Sequence, residues 1–452
     1  MKRSSVHTVP QADIMPDTTH AHIAAFNRLV ERLPGAGDGD LARLRADALA
    51  RFAETGLPTR RIEEWKFTGL DALTRAVFAP APLAVETALS RDDIRRLAPV
   101  AEAATLVFIN GALDTALSDS LPAGVTTLPA ALEAPGARFA PRLTTGTGRG
   151  QSLIALNAAF MSGGAVIDLA DGSSLDRPLV LVFLTGGDGA AVHTRNVVRL
   201  GARAHARVIE VQASFPGSGA TFSNAVTDIE LGQDAELRHA RIAAEGAGAL
   251  HHGHAAVAVG KRAAYTSFTL SVGGELTRQE SDVRFAGEGG RVRLFGAYLG
   301  RWHQHMDHTT RVWHDQPNCT TEELFKGALD DHAHGVFQGL IRVAPHAVRT
   351  DAQQKNTNLL LSDRAVADTK PELEILADDV KCSHGATVGD LDADEIFYLR
   401  ARGLTGDDSR RLLLAGYLED LIARVDDDAI TTALRTHTGN WLGTESPEEM
   451  HP

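Results

Sequence analysis

Cysteine is nearly absent from this chain: Cys319 and Cys382 are the only two in 452 residues. Two thiols exclude a four-cysteine iron–sulfur site held by one chain, and also a Cys-rich structural zinc site. Any metal chemistry must therefore recruit histidine, carboxylate or a second chain. Aromatic residues make up only 5%, which leaves few platforms for stacking sugars. Positive charge is in deficit, with a net charge of −13. A nucleic-acid partner needs a basic face, so that class is excluded, and an anionic membrane surface is disfavoured on the same ground. Long apolar runs are missing as well. The longest, near "PLVLVFL" (residues 178–184), is far short of the about 20 residues that cross a bilayer. The segment "MKRSSVHTVPQADIMPD" begins basic, but no apolar run follows it, so it reads as neither a signal peptide nor an anchor. A cytoplasmic protein is the expectation. There is no G-x-x-x-x-G-K-[ST] phosphate loop, no G-x-S-x-G elbow and no G-x-G-x-x-G after a strand; "GTGRG" (residues 146–150) reads as a flexible loop.

What is present is enough apolar material, 43%, for a large core without disulfides. The length suggests two or three domains at about 150 residues each. The chain opens with helical periodicity. Ile23, Phe26, Val30 and Leu33 fall at steps of three and four, and Pro34–Gly35 stop the run. Asp40 is expected to cap a second helix carrying Leu41, Leu44, Ala48 and Phe52, ended by Gly56 and Pro58. From about Gln151 the texture becomes β-rich and repetitive. Runs such as "VVRLGARAHARVIEV" and "AAVAVGKRAAYTSFTLSV" place an apolar strand, a glycine, a polar step and another strand in sequence. The marking glycines, Gly201, Gly232, Gly260 and Gly287, are 31, 28 and 27 residues apart. Self-similarity at that period, without a helical pattern, fits a β-helix. A β-sandwich with evenly spaced strands is the alternative. Helical texture returns after about Gly389. Asp392 and Glu395 have capping-box spacing, Gly403 is placed just past a helix end, and Leu414, Leu418, Leu421 and Val425 form a stripe widened by Leu413 and Tyr417.

Three groups of residues could carry chemistry. In "WHQHMDHTTRVWHD", which holds His303, His305, His308 and His314, His303 and His305 face one side of an extended chain and could bind a metal with Asp307; no spacing marks a known site, and polar residues lining the rungs is the plainer reading. Asp330, Asp331, His332 and His334 read as a turn, since neighbours in a strand face opposite sides. In "KPELEILADDVKCSHG" the apolar alternation of Leu373 and Ile375 shifts parity at Val380, Cys382 and His384, which implies a bend at Asp378–Asp379. If extended, Cys382 and His384 project to one side. A shared ligand site and a buried Cys with a hydrogen-bonded His both remain open. No acid or oxyanion donor completes a cysteine nucleophile.

The stretches "RRIEEWKFTGL", "HMDHTTRVWHDQPNCTTEELFKGALDD", "TDAQQKNTNLLLS", "TKPELEI" and "ADDVKCSHGATVGDLDADEIFYLRARGL" resemble the SufB/SufD family of iron–sulfur cluster assembly proteins. Within it the chain looks more like the SufD branch: scaffold subunits of the SufB type carry a Glu-His-Glu type motif after their cysteine, where this chain has Ser383-His384-Gly385. The resemblance implies a right-handed parallel β-helix between helical domains, so the expected class is mainly β. It divides the chain into an N-terminal helical region (1–75), a mixed connecting region (76–150), a β-helix core (151–385) and a C-terminal helical domain (386–452). It implies a complex with a SufB-like scaffold subunit and a SufC-like ABC ATPase; a homodimer of the isolated chain stays open. It also implies a cluster-assembly interface at His384 and Cys382, with His384 a transient metal ligand shared with the partner subunit. The final helices are implied to dock on the ATPase, with Leu413, Tyr417, Leu418 and Glu419 as the expected docking residues. No enzymatic activity of its own and no stably bound cofactor are expected, only transient iron or a nascent cluster within the complex. The alternatives are a SufB-type scaffold, or a β-helix carbohydrate-active enzyme, which would call for aromatic platforms and a ladder of carboxylates.

Overall fold

A strand that alternates inward and outward residues, followed by a glycine corner, can coil forward instead of pairing back on itself. The computed structural model, which describes residues 17–75, 78–81, 89–134, 143–146 and 148–443, shows such a coil. The chain lays one strand in each of two ten-stranded sheets, A and B, on every turn. Sheet A runs in parallel from Ala165–Leu169 to Val366–Ile375, and sheet B from Ala104–Ile109 to Val380–Gly389. Among the described residues, antiparallel pairing occurs only where the coil begins: Val125–Thr127 lies on Ala165–Leu169, and Ala112–Leu113 on Ala104–Ile109. The fold is therefore a parallel β-helix, not a β-sandwich. Sheet B begins upstream of residue 151, because the apolar run Ala104–Ile109 pairs in parallel with Leu179–Thr185.

The corners explain the repeating glycines. A Cβ on Gly260 would lie 2.4 Å from the Leu231 carbonyl oxygen, and one on Gly287 2.3 Å from the Lys261 nitrogen. Only glycine lets the backbones of adjacent corners approach that closely. Between the corners, like residues stack. Ile229, Val257, Val283, Val312, Ile341 and Leu373 stand in register on successive strands of sheet A and fill the interior. Each fully buried side chain of this kind contributes about 2 kcal/mol.

The outer faces are covered by helices. Phe26, Phe52, Trp65, Leu153 and Phe160 pack on Ala191, Phe222, Leu250 and Leu276 of sheet A. Leu414, Leu418, Leu421, Leu434 and Trp441 pack on Phe268, Phe295 and Leu299 of sheet B. The second helix, Gly39–Thr55, is capped by Asp38, whose side chain accepts from the amides of Asp40 and Leu41, so the cap lies two residues before the expected Asp40. An aspartate can hold those amides only from outside the first turn. Gly56 ends this helix at φ 64° and Gly403 follows Ala393–Ala401 at φ 97°, both left-handed conformations suited to glycine. Asp392 caps Ala393–Ala401 by accepting from the amides of Asp394 and Glu395. Part of the expected flexible loop is ordered: Arg149–Gln151 is a 3₁₀ turn.

Candidate functional site at the open end of the coil

The histidine-rich stretch is dispersed by the fold. His303 lies exposed in a corner and stacks on His332 of the next coil, with centroids 4.6 Å apart. His305 and Asp307 face outward on the strand His305–His314, while His308 and His314 face the interior and bond to Ser271 and Thr321 at 2.8 Å each. Alternation separates them, and among the described residues no three His, Cys, Asp or Glu converge on a metal site. Asp330 and Asp331 form the corner that the sequence suggested, with Asp331 at φ 50°. His334 reaches forward to Asp368 at 2.8 Å.

The segment around Trp65 has a structural task that residue spacing did not reveal. It lies over a buried ionic layer on the outer face of sheet A. The Trp65 indole covers the Arg278 guanidinium at 4.0 Å and donates to the Gly150 carbonyl at 2.8 Å. Arg278 pairs with Glu280 at 2.7 Å and with Asp307 one coil on; the Thr68 hydroxyl also donates to Asp307. Arg311 bridges Glu280 and Asp282 at 2.5 Å each. Burial alone would push the Glu280 carboxyl up, but Arg278 and Arg311 hold it well below the usual carboxylate range. At Asp282 burial prevails over Arg311 and the pKa is raised. The pairs Arg278/Asp307 and Asp282/Arg311 are each 29 residues apart and in register. Laying the sequence out at the coil period is the signal that would have found them.

The coil stops at Val380–Gly389, and Cys382 and His384 sit on this last strand. They stand opposite Ala352 and Gln354, which are buried inward-facing residues of the preceding strand. Both therefore share one side, as the alternation suggested; that side is the inward one, but no further coil covers them. Cys382 still rests partly on the interior apolar cluster, and burial raises its thiol pKa. His384 is exposed. It opens onto a groove of about 780 Å³ that is also lined by Lys355, Tyr417, Asp420 and Arg424. The second cysteine, Cys319, is buried and unpaired, with its pKa raised by burial. The corresponding strand Val366–Ile375 of sheet A is equally uncovered, and Val366, Ile375, Leu376 and Val388 are exposed around this end.

The helix Gly406–Ile422 is fastened beside the groove. Lys326 donates to the Tyr417 carbonyl at 2.6 Å and to Asp420 at 2.8 Å, and the Tyr417 hydroxyl donates to the Thr357 carbonyl at 2.7 Å. Among the expected docking residues, Leu418 is buried against sheet B, Tyr417 and Leu413 are half-buried, and Glu419 pairs with Arg435 at 2.6 Å. Leu418 is thus committed to its own chain. The apolar residues left outward are Leu412 and, on Ala393–Ala401, Phe397 and Tyr398, the first of these 73% exposed. No described helix is long and apolar enough to cross a membrane.

Comparison with known proteins is consistent with this architecture. Residues 183–417 match the family described as "SUF system FeS cluster assembly, SufBD core domain", and residues 20–181 match "SufBD protein N-terminal region". The chain is 30% identical over 407 residues to the iron–sulfur cluster assembly protein SufD of Escherichia coli, covering 87% of this chain and 91% of that one. It is 31% identical over 418 residues to an iron–sulfur cluster assembly SufBD family protein of Synechocystis, covering 89% and 91%. To the SufD protein of Bacillus subtilis it is 24% identical over 286 residues, covering 62% and 65%.

Proposed function

This chain belongs to the SufBD family of iron–sulfur cluster assembly proteins, and from that membership we propose that it is the SufD-type subunit of an assembly complex. Its last coil pairs with a SufB-like scaffold subunit, and its C-terminal helices meet a SufC-like ABC ATPase. The observation that carries this reading is the uncovered final coil. Two strand edges, with Val366 at 50%, Ile375 at 40% and Val388 at 46% exposed, are an aggregation hazard unless another chain covers them. Pairing there would enclose His384 and Cys382 between two subunits. His384 then offers imidazole to iron or a nascent cluster as cargo, and Cys382 has the smaller part because the scaffold brings the main thiolate. The helix Ala393–Ala401, which buries none of its residues, together with Leu412, supplies the face for the ATPase.

Co-expression with the scaffold and the ATPase tests both contacts at once. Ile375→Asp with Val388→Asp is expected to weaken scaffold capture at least tenfold, about 1.4 kcal/mol, and to leave the ATPase bound. Phe397→Asp with Leu412→Asp is expected to do the reverse. Undiminished co-purification of both partners with both variants, at normal folding, would refute the assignment of these faces.

A further inference from the structure

His384 ends an inward column of sheet B. Leu294, Glu323, Gln354 and His384 stand in register on four successive strands. Neighbouring strands lie about 4.8 Å apart, so each side chain rests on the one before it. Glu323 is buried, and its Oε2 accepts from Gln354 Nε2 at 2.7 Å and from the Thr310 hydroxyl, across the interior, at 3.1 Å. Space for the Gln354 amide comes from Gly339 on the facing sheet, where a Cβ would lie 2.3 Å from Gln354 Nε2. The amide nitrogen is thereby committed inward. The Gln354 carbonyl oxygen, in a residue only 2% exposed, has no partner within the chain. An unmet buried acceptor costs about 1–3 kcal/mol. The next side chain along the column is His384.

We propose that Gln354 and Glu323 are positioning residues for His384: Glu323 orients the Gln354 amide so that its carbonyl accepts one ring N–H of His384, leaving the other ring nitrogen free to meet the cargo. This rests on the reading of His384 given above. Histidines that ligate metals are oriented in this way, through a second ring N–H held by a carbonyl or carboxylate. A carboxylate behind the amide strengthens the carbonyl as an acceptor. Among the described residues no cation pairs with Glu323. The inward titratable groups nearest it are His308, whose ring meets Phe325 at 5.7 Å, His314 on Thr321, and Tyr298 on Asn356. Burial keeps both histidines neutral at neutral pH and the tyrosine protonated. Burial also pushes Glu323 up to about 7. Once protonated, its O–H can donate to the Gln354 carbonyl and turn the amide away from His384.

The test uses the full complex with its scaffold and ATPase, read by iron and acid-labile sulfide over time. Glu323→Gln is close to isosteric, and it is expected to slow cluster build-up about tenfold at pH 8. At pH 6, where the native carboxyl is already protonated, the same variant should approach the native rate. Gln354→Leu should lose about tenfold at pH 8. Native rates in both variants at pH 8, or a Glu323→Gln deficit of the same size at both pH values, would overturn the proposal. His384→Ala is the control. If it too builds clusters normally, the reading of His384 fails; if it alone fails to build them, only the positioning claim falls.

Discussion

Lowering the pH from 7 to 5 should cost the folded chain a net of about 6 kcal/mol, enough to unfold a domain of ordinary stability. Four buried histidines carry this expectation; His305, half-buried and also pushed down to about 3 by burial, adds in the same direction. Burial pushes His193, His254 and His308 down to about 3, and His314 to about 4. All four are at most 4% exposed. The unfolded chain takes up protons at these sites once the pH falls below about 6.5, whereas the folded chain does so only near 3 to 4. Stability is therefore lost as the pH falls through that window, at about 2 kcal/mol per histidine by pH 5. His254 lies 3.9 Å from Glu280, but burial, together with the nearby Arg311 and Arg241, keeps its ring neutral. Glu323 acts the other way. Its folded pKa of about 7 exceeds the unfolded value, so it returns about 2 kcal/mol over the same pH range. Denaturant midpoints at pH 7, 6 and 5 check the prediction. A midpoint that stays constant from pH 7 to 5 would show that these histidines are not buried in neutral form.

Asp307→Ala is expected to destabilise the chain by about 3–5 kcal/mol. Asp307 and Arg278 are both fully buried, and Arg278 loses one of its two carboxylate partners. The Thr68 hydroxyl loses one of its two partners in the same step and keeps only the His305 ring at 2.9 Å, so the segment carrying Trp65 is held less firmly to sheet A. Arg278→Met in the same chain should recover much of the loss, because the orphaned charge, more than the absent pair, causes the damage. Urea unfolding of the two single variants and the double variant gives the coupling directly. Early proteolysis near residues 59–70 in Asp307→Ala would locate the loosening. A single-variant loss below about 1 kcal/mol would mean that the ionic layer is solvated.

The coil was legible because its two requirements leave marks in sequence: alternating apolar residues for the interior, and glycine where corner backbones meet, as at Gly232, Gly260 and Gly287. The common side of Cys382 and His384 was legible for the same reason. That they terminate a column was not, because nothing local marks a strand as the last one. The ionic layer and the Glu323–Gln354–His384 column were hidden by distance, since their partners lie about 30 residues apart and meet only once the coil is closed. Helix amphipathicity showed that the stripe around Leu414 is apolar. It could not distinguish the side that packs on sheet B, which takes Leu418, from the side that stays outward with Leu412. The role proposed for His384 rests on resemblance; a histidine beside a cysteine is chemically ambiguous until its surroundings are known.

If this chain lends His384 to a site completed by another subunit, the decisive sample is the complex of His384→Ala chain, scaffold and ATPase, purified without oxygen and measured for iron, acid-labile sulfide and thermal stability together. The expected result is an assembled complex whose melting temperature is unchanged within a few degrees, since the exposed His384 supports no core, and whose cluster content falls at least tenfold. A native cluster content in that complex would show that His384 takes no part in the site.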